Sequence, residues 1–297
     1  MSFEYAKTEN YTLYKGDTLE ILKQMPSDSV DLIITSPPYN IGLKERKDTN
    51  IATYDNWSDD LEYNEYCKWQ KEVLNECYRV VKNGGGLFYN HKDKFKKEEY
   101  KTPFEILLST KWKIKQNIIW DRGSAICYNN GMFGDVYENI YWCYKGKSQH
   151  IKPKHSIFGT IWKINKESKI NHPAPFPLEI PLRIIYSIFD SQENKTIMDI
   201  FNGSGTTGVA SLLMKHKYIG INISEKYLKM SEKRLNNYKS ESIRGQEEIE
   251  KHFVLNPYES KKRIDDRITL FDLENIKPLE DLKEAISQPY TIKEKFK

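Results

Sequence analysis

Val30-Asp31-Leu32-Ile33-Ile34 runs directly into Thr35-Ser36-Pro37-Pro38-Tyr39. The first five residues form an apolar run broken only by Asp31, the pattern of a buried strand. Two consecutive prolines have no N–H to give a sheet ladder. The turn they form therefore stands just beyond the strand's carboxyl end, where open α/β sheets bind their ligands. It offers the Ser36 hydroxyl, the Pro37 carbonyl and the aromatic face of Tyr39. Such groups suit a planar base, the ring stacking on it and the oxygens accepting from an exocyclic amine. Taken alone, a Pro-Pro turn is equally well a stiff connection.

A second stretch gives that turn a companion. Thr196-Ile197-Met198-Asp199-Ile200-Phe201 reads as another strand, followed by Asn202-Gly203-Ser204-Gly205-Thr206-Thr207-Gly208 and the helical run Val209-Ala210-Ser211-Leu212-Leu213-Met214. Strand, glycine turn and helix together are the context in which a nucleotide-like cofactor is held. Gly203 and Gly205 clear side chains from where a ligand would approach the backbone, and the first N–H groups of the helix face it. The spacing of Gly203, Gly205 and Gly208 fits a dinucleotide loop. The next strand, Tyr218-Ile219-Gly220-Ile221-Asn222, however, ends in an amide about 20 residues on, where an acidic residue would hold the ribose of NAD. A P-loop fails as well, because Val209 and Ala210 stand where Lys and Ser or Thr are required.

Together the two motifs resemble the amino-methyltransferases of DNA found in bacterial restriction-modification systems, which move a methyl group from S-adenosylmethionine to the exocyclic nitrogen of cytosine or adenine. The family's catalytic motif, Asp, Asn or Ser followed by Pro-Pro and Tyr or Phe, is matched by Ser36, Pro37, Pro38 and Tyr39. Its cofactor motif, Asp-x-Phe-x-Gly-x-Gly, is matched by Asp199, Phe201, Gly203 and Gly205. The catalytic motif comes first, which is the order of the permuted β group. Further matches are Gly16-Asp17 before a helix, Arg79-Val80-Val81-Lys82-Asn83-Gly84-Gly85, Trp120-Asp121-Arg122-Gly123 and His172-Pro173-Ala174-Pro175-Phe176-Pro177. The likeness runs from about Gly16 to about Leu235.

That resemblance implies an α/β fold, a circularly permuted Rossmann-like methyltransferase sheet with helices on both faces and a small inserted recognition region. It implies S-adenosyl-L-methionine as cofactor, held by Asp17, Thr35, Asp199, Phe201, Asn202, Gly203, Gly205, Thr206, Thr207, Asn222, His172, Pro173 and Phe176. Asn222 departs from the family, which usually has Glu or Asp there to grip the ribose hydroxyls. An amide still accepts one hydrogen bond and donates another. Asp17 reads equally as a helix N-cap.

Composition is compatible with this reading. The chain has 297 residues, 38% of them hydrophobic, enough for a real core in one α/β domain or two small ones. Lys and Arg number 46 against 42 Asp and Glu, so the net charge is only +4 and any nucleic-acid surface must be a local patch. No run of about 18 apolar residues exists and the start Met1-Ser2-Phe3-Glu4-Tyr5 lacks a signal region, so a cytoplasmic protein is expected, at the nucleoid when on DNA and away from any membrane. Cys67, Cys77, Cys127 and Cys143 are widely spaced, which reads as reduced core thiols with no metal site. None follows a proline, whereas by family resemblance methylation at ring carbon 5 of cytosine uses a Pro-Cys nucleophile.

Tyr11–Tyr14 reads as a short strand leading through Gly16-Asp17 into a helix near Thr18–Met25. A polar stretch follows Tyr39 to about Asp60, and a helix covers about Tyr63 to Lys82. Long loops of this kind are usually functional, and this one, with Lys44, Arg46 and Lys47, could close over DNA. Gly84-Gly85-Gly86 is expected to end the helix. Leu87–Asn90, Ile114–Trp120 and Asn139–Tyr144 read as strands of a mostly parallel sheet.

Lys145, Lys147, Lys152, Lys154, Lys163, Lys166 and Lys169 alternate with His150, His155, Phe158 and Trp162 where the family's order puts target recognition. Cations between aromatics suit phosphate and base contacts, and Lys152, Lys154 and Lys163 are the expected DNA contacts there. The organisation is thus a catalytic domain over residues 1–238, with 146–171 as a short recognition segment, and a charged C-terminal extension over 239–297. Double-stranded DNA is the expected partner; a homodimer and a separately acting restriction endonuclease stay open.

Within this reading Ser36 and the Pro37 carbonyl hold the amine hydrogens while Tyr39 stacks on a flipped base, and transfer is direct. A hydroxyl accepts more weakly than a carboxylate. By family habit that places N4 of cytosine ahead of N6 of adenine, although serine versions of the turn also resemble adenine enzymes. A nicotinamide oxidoreductase would leave Pro37-Pro38 unexplained, and a non-catalytic DNA-binding module would leave the glycine loop unexplained.

Overall fold

The computed structural model describes residues 3–40, 60–96, 98–123, 133–151, 159–165, 177–189 and 194–240. In chain order the elements are β1 (Glu4–Lys7), β2 (Tyr11–Lys15), α1 (Thr18–Gln24), β3 (Val30–Thr35), α2 (Tyr63–Val80), β4 (Val81–His91), β5 (Lys94–Lys96), β6 (Glu99–Lys101), α3 (Pro103–Leu108), β7 (Lys113–Asp121), β8 (Tyr137–Tyr144), β9 (Ile161–Lys163), α4 (Glu179–Ile188), β10 (Thr196–Asp199), α5 (Thr206–Leu213), β11 (Lys217–Asn222) and α6 (Glu225–Asn236). Nine strands form one sheet in the order β1-β2-β11-β10-β3-β4-β8-β7-β9, and β5 and β6 form a separate hairpin.

The two motif-bearing strands, β3 and β10, lie side by side and parallel at the centre, Ile197 opposite Leu32 and Met198 opposite Ile33. From that line the chain winds outward in opposite directions, β3 through α2 to β4 and β10 through α5 to β11. Ligands bind at such a switch point, outside the carboxyl ends of the strands. An early strand beside a late one is also what a permuted chain requires. The sheet is mostly parallel as expected, with β1 and β8 running antiparallel to their neighbours.

Both faces are covered, which explains the nearly continuous apolar run of β3. Leu32 and Ile34 pack into one core with residues of α4, α5 and α6, while Val30 and Ile33 pack into the other with residues of α1, α2 and α3. Helix α2 buries Tyr66, Gln70, Val73, Leu74, Cys77 and Val80. That spacing makes one stripe along a helix, and cutting Leu74 to Ala would cost about 2–5 kcal/mol.

The glycine run differs from expectation. Helix α2 already ends at Val80, and Gly84, Gly85 and Gly86 lie inside β4. The pairing of β3 with β4 shifts register between Val30 and Leu32, and a Cβ on Gly85 would stand 2.7 Å from the Asp31 carbonyl. The glycines therefore carry an irregularity in the ladder and a close backbone approach, not a helix stop.

Candidate active site

The turn after β3 and the loop after β10 meet because their strands are neighbours. Thr35 Oγ1 donates to Asp199 Oδ1 at 2.8 Å, the Phe201 N–H reaches the same oxygen at 3.0 Å, and Thr207 Oγ1 reaches Oδ2 at 2.9 Å. Burial pushes the Asp199 carboxyl up to about 6 against the pull of these three donors. One carboxylate thus ties the catalytic turn, the glycine loop and the start of α5 together.

Gly203 and Gly205 have φ of +48° and +82°, a conformation other residues resist. A Cβ on Gly205 would run into Ser231, whose own Cβ would lie 3.0 Å away. The bareness of Gly205 therefore also admits α6. Asn202 is buried, and its Oδ1 accepts from the Tyr218 hydroxyl at 2.7 Å and from Ser231 Oγ at 3.2 Å. Thr206 Oγ1 accepts from Arg234 at 2.9 Å. The side chains of Thr35, Asn202, Thr206 and Thr207 build the loop, so the main chain and the α5 N-terminus are what it presents outward.

Carboxyl ends of four adjacent strands come together here, where sheets of this kind bind ligands. Gly16-Asp17 follows β2, Asn222 ends β11, Phe201 follows β10 and Thr35 ends β3. The Gly16 N–H donates to the Asn222 carbonyl at 3.1 Å, and Thr18 Oγ1 donates to the Ile200 carbonyl at 2.8 Å. Asp17 caps α1, its Oδ1 accepting from the Leu19 and Glu20 N–H groups. Asn222 Oδ1 accepts from the Ser224 N–H at 2.8 Å. Phe201 packs against Trp69, ring centres 5.7 Å apart.

At the catalytic end, sequence reasoning found the turn but not its surroundings. Tyr39 donates its hydroxyl hydrogen to Glu138 Oε2 at 2.8 Å and lies 2.8 Å from Ser36 Oγ. Asn90 Nδ2 reaches Ser36 Oγ at 3.3 Å, the Tyr39 hydroxyl at 2.6 Å and Glu138 Oε2 at 2.8 Å. Arg122 Nη1 pairs with Glu138 Oε1 at 3.1 Å, both side chains being buried. A carboxylate carries no hydrogen, so the single Tyr39 hydrogen is spent on it and Ser36 must donate to Tyr39. The remaining lone-pair capacity of Ser36 Oγ then accepts only. Asn90 Oδ1 and Arg122 Nε are buried with no partner among the described residues.

His91 stacks on Tyr39, ring centres 4.7 Å apart. Burial drives its imidazole down to about 3, so it is neutral near pH 7. The Lys92 N–H donates to Nδ1 at 2.7 Å, which leaves the proton on Nε2, 2.7 Å from the Tyr66 hydroxyl. Tyr66 in turn donates to the Pro38 carbonyl at 2.9 Å. The Pro37 carbonyl has no hydrogen bond among the described residues.

Several expected residues stand elsewhere. Lys44, Arg46, Lys47, Lys152, Lys154, His172, Pro173, Phe176, Cys127 and the extension from residue 241 lie outside the described residues. Asn40 and Leu61 bond to each other through the Asn40 amide, at 2.9 and 2.6 Å, joining the two ends of the 41–59 segment. Lys163 is exposed at the end of edge strand β9. Lys145 is not a surface cation for DNA, because its Nζ is held by Asp28 at 2.8 Å and the Val81 carbonyl at 2.6 Å. Trp162 is buried in the core and does not face a partner. Cys77 and Cys143 are buried, and burial pushes both thiols up. Among the described residues no His, Cys, Asp and Glu group could hold a metal, and no helix is long and apolar enough to cross a membrane.

Asn90, His91, Arg122 and Glu138 were missed as site residues. Arg122 stood in a segment matched to the family but without a role. Nothing in a lone Glu before a strand marks Glu138.

The profile of the DNA methylase family, whose members act on N6 or N4 amino groups, matches residues 30–233, a span holding both turns and every strand between them. The chain belongs to the DNA methylase family. It is 28% identical over 272 residues to the DNA adenine methyltransferase YhdJ of Escherichia coli K12, covering 79% of this chain and 87% of that protein. It is 28% identical over 262 residues to the type II methyltransferase M.HinfI of Haemophilus influenzae, covering 77% of this chain and 69% of that one. In fold this DNA methylase is similar to the cytosine-N4-specific PvuII DNA methyltransferase, with a TM-score of 0.64 at 20% identity, covering 88% of this chain and 92% of that one. It is also similar to M1.HpyAVI, solved in complex with SAM, with a TM-score of 0.54 at 23% identity, covering 76% of this chain and all of that one.

Proposed function

We propose that this chain transfers a methyl group from S-adenosyl-L-methionine to the exocyclic amine of a base flipped out of duplex DNA. The observation that carries the reading is the bond from Thr35 to Asp199, which fixes an amine-binding turn against a cofactor crevice. The crevice suits a long, mixed ligand. It runs across four strand ends, with a carboxylate (Asp17) and an amide (Asn222) at one end, main chain of positive φ in the middle and the Ser36 turn at the other. Bound there, S-adenosylmethionine supplies an electrophilic methyl group on its sulfonium.

The protein's part is to make a poor nucleophile competent. The lone pair of an exocyclic amine is conjugated with its ring, and acceptors on both hydrogens favour a pyramidal nitrogen. Ser36 Oγ, turned into an acceptor by Tyr39 and Glu138, accepts a hydrogen bond from one N–H of the amine and the Pro37 carbonyl accepts one from the other, and the nitrogen releases one of these protons once it is methylated. The Tyr39 ring, backed by His91, offers the stacking surface. Asn90 Oδ1 and Arg122 Nε keep unused hydrogen-bonding capacity beside the turn for a polar guest.

The hydroxyl at Ser36 puts N4 of cytosine first as target. The adenine methyltransferase among the relatives supports N6 of adenine as the second reading. Lys44, Arg46, Lys47, Lys152, Lys154 and Lys163 are the proposed phosphate contacts, and His172, Pro173 and Phe176 are proposed as cofactor contacts. A second copy of the chain and a separate restriction endonuclease extend the reading, the first tested by light scattering. For the activity itself, unmethylated phage DNA is incubated with the protein and the cofactor, then digested to nucleosides. Mass spectrometry should show 4-methylcytosine or 6-methyladenine, and the absence of both would refute the proposal.

A further inference from the structure

Between His91 and α3 the chain makes the β5–β6 hairpin, which no part of the proposed reaction uses. Lys94 pairs with Lys101 and Phe95 with Tyr100 across it. Side chains alternate between faces along a strand, so the two lysines share one face and the two aromatics the other.

The lysine face is anchored. Lys94 Nζ donates to the Asn40 carbonyl at 3.0 Å, and lies 5.3 Å from the Tyr63 ring centre and 5.4 Å from that of Tyr66. Lys101 Nζ lies 4.7 Å from the Tyr63 ring centre. An isolated two-stranded hairpin is marginal in water, and these contacts hold this one against the first turn of α2 and the end of the catalytic turn.

The aromatic face is bare. Phe95 is 53% exposed and Tyr100 60%. Tyr100 lies beside Asp93 and Tyr137, and the hairpin adjoins the Ser36–Tyr39 turn through Lys94, whose Nζ donates to the Asn40 carbonyl. Residues 94–101 carry four lysines against two glutamates, a net positive charge that complements a polyanion.

We infer that Phe95 and Tyr100 form a base-stacking platform that meets duplex DNA at the target and packs on the bases unstacked when the target base leaves the helix. The inference rests on the function proposed above. Exposed aromatic rings on a hairpin of net positive charge suit a nucleic-acid surface, and a base that has lost its neighbour recovers stacking on such a ring. Two large apolar rings kept in water beside a catalytic turn are otherwise a liability.

The test uses the full chain and unmethylated phage DNA as substrate. Phe95→Ser/Tyr100→Ser is compared with the ring-preserving Phe95→Tyr/Tyr100→Phe and with wild type. Both sites being more than half exposed, circular dichroism and S-adenosylmethionine binding by calorimetry should match wild type in both variants. The serine pair should lose tenfold or more in DNA affinity and in methyl incorporation, and the ring-preserving pair should keep both. If wild type incorporates methyl and the serine pair matches it, this inference alone is overturned. If the serine substitutions instead abolish a dimer while incorporation is unchanged, the face is a self-association surface and the inference is overturned. If wild type incorporates no methyl, the proposed function fails and takes the inference with it.

Discussion

Thr35 and Asp199, 164 positions apart in the chain, are joined by a 2.8 Å hydrogen bond between buried side chains. Because Asp199 also holds Phe201 and Thr207, a disturbance at the end of β3 reaches the glycine loop directly. The proposed amine site and the proposed cofactor loop are thus tied through one carboxylate, as preorganised transfer between two bound partners demands.

Replacing Ser36 with Ala should leave folding and cofactor affinity unchanged and lower methyl transfer about 100-fold or more, the usual effect of removing one preorganised transition-state contact. Single-turnover incorporation of labelled methyl measures it, and near-wild-type activity would remove Ser36 from the mechanism.

Glu138→Gln tests the direction of the hydroxyl chain. An amide can donate to the Tyr39 oxygen, which frees the Tyr39 hydrogen for Ser36 and turns Ser36 into a donor where the amine needs an acceptor. The expected result is a kcat reduced about tenfold or more with the KM for DNA little changed. Equal loss on KM alone would assign Glu138 to binding.

Two buried groups should oppose one another in acid. Asp199, raised to about 6, takes up a proton in the folded state first, so it stabilises the fold as pH falls from about 6 towards 4. His91, lowered to about 3, stays neutral while the unfolded chain protonates near 6.5, so its contribution is lost as pH falls below 6.5. Each slope is about 1.4 kcal/mol per pH unit, of opposite sign. Asp199→Asn should therefore steepen the acid loss of stability between pH 6 and 4, and His91→Gln should flatten or reverse it, as read from urea midpoints. Unaltered slopes in both would contradict the burial assigned to them.

Gly205→Ala should destabilise by about 2 kcal/mol or more, from a side chain at φ +82° and from collision with Ser231. Gly205→Ala/Ser231→Gly should recover the collision part, leaving the backbone strain. A thermal melt of the double variant no better than the single one would argue against the packing role.

Asn222→Asp retains the oxygen that accepts from Ser224 and supplies the carboxylate usual in the family. Calorimetry should show cofactor affinity equal or higher. A tenfold loss would give Asn222 another part.

Both decisive turns were legible from sequence, because proline and glycine act locally: Pro37-Pro38 must end a strand whatever surrounds it, and strand, glycine turn and helix is a pattern within a dozen residues. The alternation of strand and helix runs likewise announced a mostly parallel sheet. Where glycines answer to distant backbone, sequence misled. Gly84-Gly85-Gly86 looks like a helix stop and is a strand yielding to the Asp31 carbonyl. Asn90 on β4, Glu138 on β8 and Arg122 just after β7 mean nothing singly; only the order β4-β8-β7 brings them to Ser36. Chemistry carried by contiguous residues was written in the chain, and the direction of each hydrogen at the site was decided by tertiary neighbours, since a hydroxyl donates or accepts according to what stands across from it.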